Sequence, residues 1–192
     1  MDKMAKPKVS VVIPAYNEAM SIGSVIAECK AFCDEIIVVD DGSTDDTAEI
    51  AKRSGAVVIQ NERNLGVTKA TQRGLNVAQG EIIVTMDADG QHNPSDIPNL
   101  TKPIIDGKGD VALGVRNKIP NRSERIINTL TNLSRKCSDT GTGFRAIKAS
   151  IAKTMKLHGT CLCGTFVLEA HKRGARIVEI PIETKTRTYG KS

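Results

Sequence analysis

Asp87 and Asp89 stand one residue apart where the apolar run of "IIVTMDADGQH" (Ile82–His92) gives out. On a continuing strand two such side chains would share a face. Like charges at that distance raise one of the two pKa values unless a cation lies between them. A hard divalent ion, Mg²⁺ or Mn²⁺, removes the conflict. Such ions take one or two carboxylates and complete their shell with water and a substrate's phosphates. Gln91 and His92 follow closely enough to add a ligand or to orient one. The competing reading is a solvated D-x-D-G turn whose acids cap the "NPSD" segment.

A second acidic pair, Asp40 and Asp41, ends the run "EIIVVD". At a strand exit these acids suit a ribose or the N–H edge of a base. Alternatively they belong with Ser43 and Asp45 to the cap of the next helix. Pro14, Ala15 and Tyr16 leave the first apolar run. There Tyr16 offers a ring against which a base can lie, and Glu18 either reaches a ribose or caps a helix.

The elements that must position these groups alternate along the first half of the chain. "VSVVI", "EIIVVD", "AVVIQ", "EIIVTM" and "DVALGV" are short, β-branched runs that predict strands. Pro14 is expected to end the first of them, since proline cannot continue a central strand. Between the runs lie helical patterns: Asn17–Phe32, the "STDDTAEIAKR" segment with Ser43 and Thr44 as N-caps, Val67–Ala78, and the proline-interrupted "NPSDIPNLTKPII". Continuous apolar strands separated by helices predict βαβ units and a mostly parallel sheet covered on both faces, a single α/β/α domain over residues 1–192. In such sheets ligands sit beyond the carboxyl ends of the strands, where "PAYNE", "DDGSTDD", "NERNLG", "DADGQH" and "GVRNK" fall. After Arg116 the alternation fails. A basic amphipathic helix is expected before Ser138, then the Gly/Thr-rich "SDTGTGFRAIK", short helices over Ala149–Leu157 and Thr165–Arg173, and the strand-like "RIVEIPIET".

The net charge of +5 is unevenly spread. Residues 1–115 carry 11 Lys and Arg against 17 Asp and Glu, and residues 116–192 carry 16 against 5. A −6 half that holds a cation and a +11 half that meets an anion account for the split, as do solvated helix faces of different composition. Aromatic residues are 3% of the chain and Trp is absent, which disfavours recognition of nucleic acid by stacking. No apolar run approaches the roughly 20 residues of a membrane span, and "MDKMAKPK" has no apolar core of a secretory leader. Five cysteines, an odd number without paired C-x-x-C blocks, predict reduced thiols in a cytoplasm. Cys29/Cys33 and Cys161/Cys163 are at most halves of a zinc site, with no partner half apparent. "GTGFRA" (Gly141–Ala146) formally fits a dinucleotide fingerprint, but no strand precedes it as that motif requires.

Six segments, "VSVVIPAYNE", "IIVVDDGSTDDT", "NLGVTKATQRGL", "MDADGQH", "GTGFRAIK" and "VEIPIETKTRTYGKS", occur in an order that resembles family 2 glycosyltransferases. The resemblance runs from Val9 to Ser192 and is nearest to the dolichol-phosphate-mannose-synthase-like branch of polyprenyl-phosphate sugar transferases. It implies a GT-A fold, a UDP- or GDP-sugar donor and inversion at the anomeric carbon. By the same resemblance, Pro14, Tyr16 and Glu18 would line the nucleotide, and Asp40 and Asp41 would meet base and ribose. Asp87, Asp89 and Gln91 would hold the metal on the diphosphate. Arg116 matches the family's arginine at the fifth strand exit, and Arg187 to Ser192 match its C-terminal R-x-x-G-x-S. The chain departs from the family in a short segment between Arg116 and Ser138, in "CLCGT" where relatives carry acids, and in Thr142 where they carry serine.

The chemistry implied is displacement of a diphosphate, with the metal as Lewis acid and Arg116 or Arg145 as a second positive contact. A lipid phosphate acceptor, a polyprenyl phosphate at the cytoplasmic membrane face, is already an anion and needs no base. Arg187 and Lys191 in the tail would then close over the phosphates. A saccharide hydroxyl acceptor would need one, for which Asp139 is the candidate. A non-catalytic nucleotide-sugar-binding module and a sugar-nucleotide nucleotidyltransferase stand beside these readings. The latter wants a Gly-rich basic loop after the first strand, and "PAYNEAMSIG" is not one.

Overall fold

The computed structural model describes residues 6–116 and 141–185. Seven strands form one sheet: β1 (Val9–Ala15), β2 (Glu35–Asp40), β3 (Val57–Gln60), β4 (Ile82–Thr85), β5 (Val111–Arg116), β6 (Arg145–Lys148) and β7 (Ile177–Ile182). Their order across the sheet is β3-β2-β1-β4-β6-β5-β7. All neighbours run parallel except β6, which is antiparallel to both β4 and β5. The helices among the described residues are α1 (Ile22–Cys29), α2 (Thr47–Arg53), α3 (Val67–Val77), α4 (Ile97–Ile105), α5 (Ala149–Ala152) and α6 (Leu162–Lys172).

Side-chain alternation along the strands sorts the core into two layers. Val11, Ile13, Val38 and Val84 pack with Ile22, Ile26, Leu100 and Ile104 of α1 and α4. Val12, Val39, Ile83 and Leu113 pack with Ala70, Leu75, Phe166 and Ala170 of α3 and α6. Helices therefore cover both faces of the sheet, as the continuous apolar strands predict.

Pro14 lies inside β1, in register with Val39, contrary to expectation. The reason is geometric. Ala15 accepts from Asp41 just beyond β2, whereas Val12 accepts from Met86 beyond β4. By alternation, the N–H that Pro14 lacks would have pointed to the β4 side. There the ladder has already ended at Val12↔Thr85, so no bond is lost.

α1 begins five residues later than predicted, because Asn17 takes a left-handed φ of 54° and the Glu18 carbonyl opens the first turn with Ser21 and Ile22. Ser43 and Thr44 do not cap α2. The Ser43 hydroxyl accepts from the Asn17 N–H at 2.9 Å, and the Thr44 N–H donates to Asn17 Oδ1 at 2.8 Å. Asp45 supplies the local cap through the Thr47 N–H at 3.0 Å. α5 is shorter than predicted and α6 starts three residues earlier. The strand missed from the sequence is β6: four residues with a charge at each end, stitched between β4 and β5. The predicted basic helix after Arg116 lies outside the described residues.

Candidate active site

Strand order reverses between β1 and β4, and a cleft of about 270 Å³ opens at that point, beyond the carboxyl ends of the strands. Pro14, Ala15, Tyr16 and Glu18 from the β1 exit line it, with Asp41 from the β2 exit and Asp87, Ala88 and Asp89 from the β4 exit. Asn64, Val67 and Ala70, from the β3–α3 connection and α3, complete the wall. Four of the six quoted segments thus meet in space, because the neighbouring parallel strands β2, β1 and β4 end together.

The turn that carries the two acids is tightly specified. Gly90 has a φ of +75°, a conformation that disfavours side chains with a Cβ. Asp89 Oδ1 accepts the Gln91 N–H at 3.0 Å, closing the turn. The Asp87 N–H donates to His92 Nδ1 at 3.4 Å, and the buried imidazole stacks on Phe144 with centroids 5.0 Å apart. Nδ1 also lies 3.8 Å from Asp87 Oδ2. Gly143 presses against Asp87 from the other side, and a Cβ there would overlap both carboxylate oxygens. The Gly143 carbonyl is itself held by the Thr85 hydroxyl at 2.8 Å.

These residues fit a divalent cation that keeps much of its own shell. Among the described residues no group of three or more His, Cys, Asp or Glu is gathered as a cage. Two carboxylates on one cleft, with room for substrate oxygens, are what Mg²⁺ or Mn²⁺ uses. The side chain of Gln91 does not line the cleft; its carbonyl accepts the Lys185 N–H at 2.8 Å, tying the segment after β7 to this turn.

Asp40 and Asp41 part company. Asp40 points away from the cleft, taking the Ser43 N–H at 3.3 Å and Gln60 Nε2 at 3.5 Å. Asp41 lines the cleft while organising the loop after β3. Its Oδ1 accepts from Asn61 Nδ2 at 2.5 Å and the Leu65 N–H at 2.9 Å, and its Oδ2 from the Gly66 N–H at 2.8 Å. Asn61 is in turn fixed by Arg73 Nη1. Tyr16 is 44% exposed over the cleft. Glu18 lines the cleft; its carboxylate accepts the Ser21 hydroxyl at 2.9 Å, while its backbone carbonyl, not its side chain, meets the first N–H groups of α1.

Arg116 ends β5 at the same edge of the sheet, with β6 between β5 and β4, and does not line the cleft. Arg145 corrects an expectation. It is 1% exposed, with its guanidinium 4.7 Å over the Phe166 ring and Nη1 donating to the Leu162 carbonyl at 3.4 Å. It is a buried cation under α6 and not a cleft-lining contact for a diphosphate. Asp139, Arg187 and Lys191 lie outside the described residues. The "GTGFRA" segment precedes a strand, the reverse of the dinucleotide arrangement. Burial pushes the Cys29 thiol up to about 12 and the Cys33 thiol up to about 11, so neither is a ready metal ligand.

Asn64, Val67, Ala70 and Gly143 were not singled out from the sequence. "NLGVTKATQRGL" and "GTGFRAIK" contributed to the family resemblance, but nothing in their composition says that they face the acids.

The family model described as Glycosyl transferase family 2 matches residues 10–168. The chain is 36% identical, over 96% of its length, to undecaprenyl-phosphate 4-deoxy-4-formamido-L-arabinose transferase of Edwardsiella ictaluri, of which it spans 62%. It is 32% identical, over 97% of its length and 89% of the relative's, to UDP-N-acetylglucosamine--dolichyl-phosphate N-acetylglucosaminyltransferase of Methanococcus voltae. Among solved structures, glucosyl-3-phosphoglycerate synthase of Mycobacterium tuberculosis in complex with Mn²⁺, UDP-glucose and phosphoglyceric acid superposes with a TM-score of 0.82. The match covers 97% of this chain and 74% of that one, at 26% identity. With its acids at the switch point of a mostly parallel GT-A sheet and this family match over most of its length, the chain belongs to the family 2 glycosyltransferases.

Proposed function

We propose that the protein transfers a sugar from a UDP- or GDP-linked donor to a polyprenyl phosphate, with inversion and with Mg²⁺ or Mn²⁺ held by Asp87 and Asp89. The observation that carries this reading is that one cleft joins Asp87 and Asp89 to Tyr16 and Asp41. On this reading the two acids form a cation-binding end of the cavity, and Tyr16 and Asp41 a base-binding end. The relatives named for undecaprenyl phosphate and dolichyl phosphate support the acceptor class, and the neighbour bound to Mn²⁺ and UDP-glucose supports the donor and metal.

A phosphate oxygen of the acceptor attacks the anomeric carbon as the bond from that carbon to the donor diphosphate breaks. The electron pair leaves with the nucleoside diphosphate. Asp87 and Asp89 would hold the metal, which when bound would supply Lewis-acid stabilisation of the leaving charge. Tyr16, Val67 and Ala70 offer the base apolar surface. Asp41 is the group for a base N–H, because its Oδ2 takes one bond from the loop and a carboxylate oxygen has two acceptor directions. Asp40, turned the other way, serves the loop. The acceptor is an anion already, so this transfer requires no base from the protein. Nothing among the described residues is a helix long and apolar enough to cross a membrane. On this reading the described domain meets its lipid acceptor at the membrane surface.

The test is turnover of UDP- and GDP-sugars with a short-chain polyprenyl phosphate, followed by release of nucleoside diphosphate. Asp89→Asn should reduce transfer by about three orders of magnitude, the scale on which lost electrostatic stabilisation acts, without shifting thermal unfolding. Wild-type rates in excess EDTA would reject the metal reading.

A further inference from the structure

On the reading of this cleft as the nucleotide site, we propose that Asn17 is a positioning residue. It clasps the chain leaving β1 to the loop after β2, and so sets Tyr16 and Glu18 before any ligand arrives. Among the described residues Asn17 is the only one other than glycine with a positive φ, at 54°. Asparagine enters that left-handed region more readily than most residues, and such outliers collect at functional sites. Here the conformation is held from both ends of the residue. The Asn17 N–H donates to Ser43 Oγ at 2.9 Å. Asn17 Oδ1 accepts the Thr44 N–H at 2.8 Å and the Thr44 hydroxyl at 3.3 Å.

The clasp continues along the chain. The Glu18 N–H donates to Thr47 Oγ1 at 2.8 Å, and the Ala19 N–H to Asp45 Oδ2 at 3.2 Å. Three successive backbone donors are thus taken by side chains of the "STDDT" loop. That loop is anchored in turn. The Ser43 N–H donates to Asp40 Oδ1 at 3.3 Å, so Asp40, turned from the cleft, acts on it at one remove. Tyr16 and Glu18, on either side of Asn17, line the cleft, whereas Asn17 does not. Its effect on a ligand must therefore pass through those two neighbours. Tyr16 is exposed, with little core around it, so its backbone must fix where the ring stands. A backbone fixed in the free protein spares the ligand the ordering that binding would otherwise impose.

The experiment compares wild type with Asn17→Gly, Asn17→Asp and Asn17→Ala. Glycine keeps the left-handed backbone and loses the Oδ1 acceptor. Aspartate keeps both, and its added charge can only weaken a diphosphate. Alanine loses the acceptor and disfavours the angle. Kd for UDP and GDP with Mn²⁺ is measured by calorimetry, donor KM and kcat by turnover, and stability by thermal unfolding. The glycine variant should bind the preferred nucleotide about fivefold more weakly, the worth of one hydrogen bond of about 1 kcal/mol. Its donor KM should rise by the same factor with kcat unchanged, the signature of lost ground-state binding. Its unfolding should shift little, because glycine suits the angle. Aspartate should bind the nucleotide more tightly than glycine despite its charge, and alanine most weakly. In the free protein, hydrogen exchange at residues 17–19 should quicken with glycine and alanine but not with aspartate. Unaltered Kd and KM in the glycine and alanine variants would make Asn17 a loop cap and overturn the inference, leaving the cleft as a nucleotide site. Aspartate binding no better than glycine would overturn it as well, by removing the role of Oδ1. No binding of either nucleotide by wild type would overturn the nucleotide site itself.

Discussion

Asp87 is constrained from three directions: by its own N–H on the His92 ring, by the turn through Gly90, and by Gly143 lying flat against its carboxylate. Gly143 has no need of glycine for its backbone angles, so its lack of a side chain serves the neighbouring acid. Gly143→Ala would push a methyl group into both Asp87 oxygens. The carboxylate must then rotate or the loop must retreat, and either moves the group proposed to hold the metal by about 1 Å. Misplacement on that scale costs about a hundredfold in rate. Transfer should therefore fall while the Mn²⁺ concentration for half-maximal activity rises, with the circular dichroism spectrum unchanged. A variant with wild-type metal dependence would show that the glycine serves only to pack the loop. Arg145 teaches the complementary lesson. Its charge invited a role on the diphosphate, but the guanidinium is instead consumed by an aromatic ring and a carbonyl beneath α6.

At the level of elements, α3 matters twice, because its first turn walls the cleft and its inner face sets how closely that wall approaches the sheet. Gly74 makes the contact: a Cβ there would overlap Val12 Cγ1 and come within 3.2 Å of Val39 Cγ2. Alanine is the better helix former by about 1 kcal/mol. Overpacking a filled core costs about 1–3 kcal/mol, and both neighbours are buried β-branched residues with little freedom to turn. The steric term should win. Gly74→Ala is expected to lower stability by about 1–2 kcal/mol in urea unfolding, with weaker nucleotide binding as α3 lifts. A stabilised variant would mean that α3 rides less tightly on β1 and β2 than its position indicates. The antiparallel strand β6 has its own consequence. By entering between β4 and β5, it carries the Gly141–Phe144 loop to the β4 exit and so delivers Gly143 to Asp87.

For the whole molecule, charge is the long-range property. Residues 116–192 carry a net +11 against −6 for the rest, an asymmetry that the proposed function would use for a cation on one side and an anionic lipid on the other. Arg116, Arg122, Arg125, Arg135 and Lys136 fall in a stretch whose one acid is Glu124, interleaved with Ile126, Ile127, Leu130 and Leu133. Binding to anionic liposomes should be strong at low salt and should fall steeply as the screening length drops from about 30 Å at 0.01 M to about 8 Å at 0.15 M. Changing Arg122 and Arg125 to alanine should weaken use of a lipid acceptor while leaving donor affinity alone. Efficient transfer to a neutral soluble sugar, without liposome binding at low salt, would defeat the lipid-acceptor reading. The sequence by itself determined the parallel α/β frame, the strand exits and the acids upon them, because continuous β-branched runs and helical periodicity are local properties of a chain. Only the tertiary structure decided that Asp41 faces the cleft and Asp40 does not, that Arg145 is buried, that Pro14 costs the sheet nothing, and that Asn64 and Gly143 belong to the site. Each of those depends on which strand lies beside which and on where a neighbour's ladder ends, and such pairings join residues far apart in the chain that no local pattern connects.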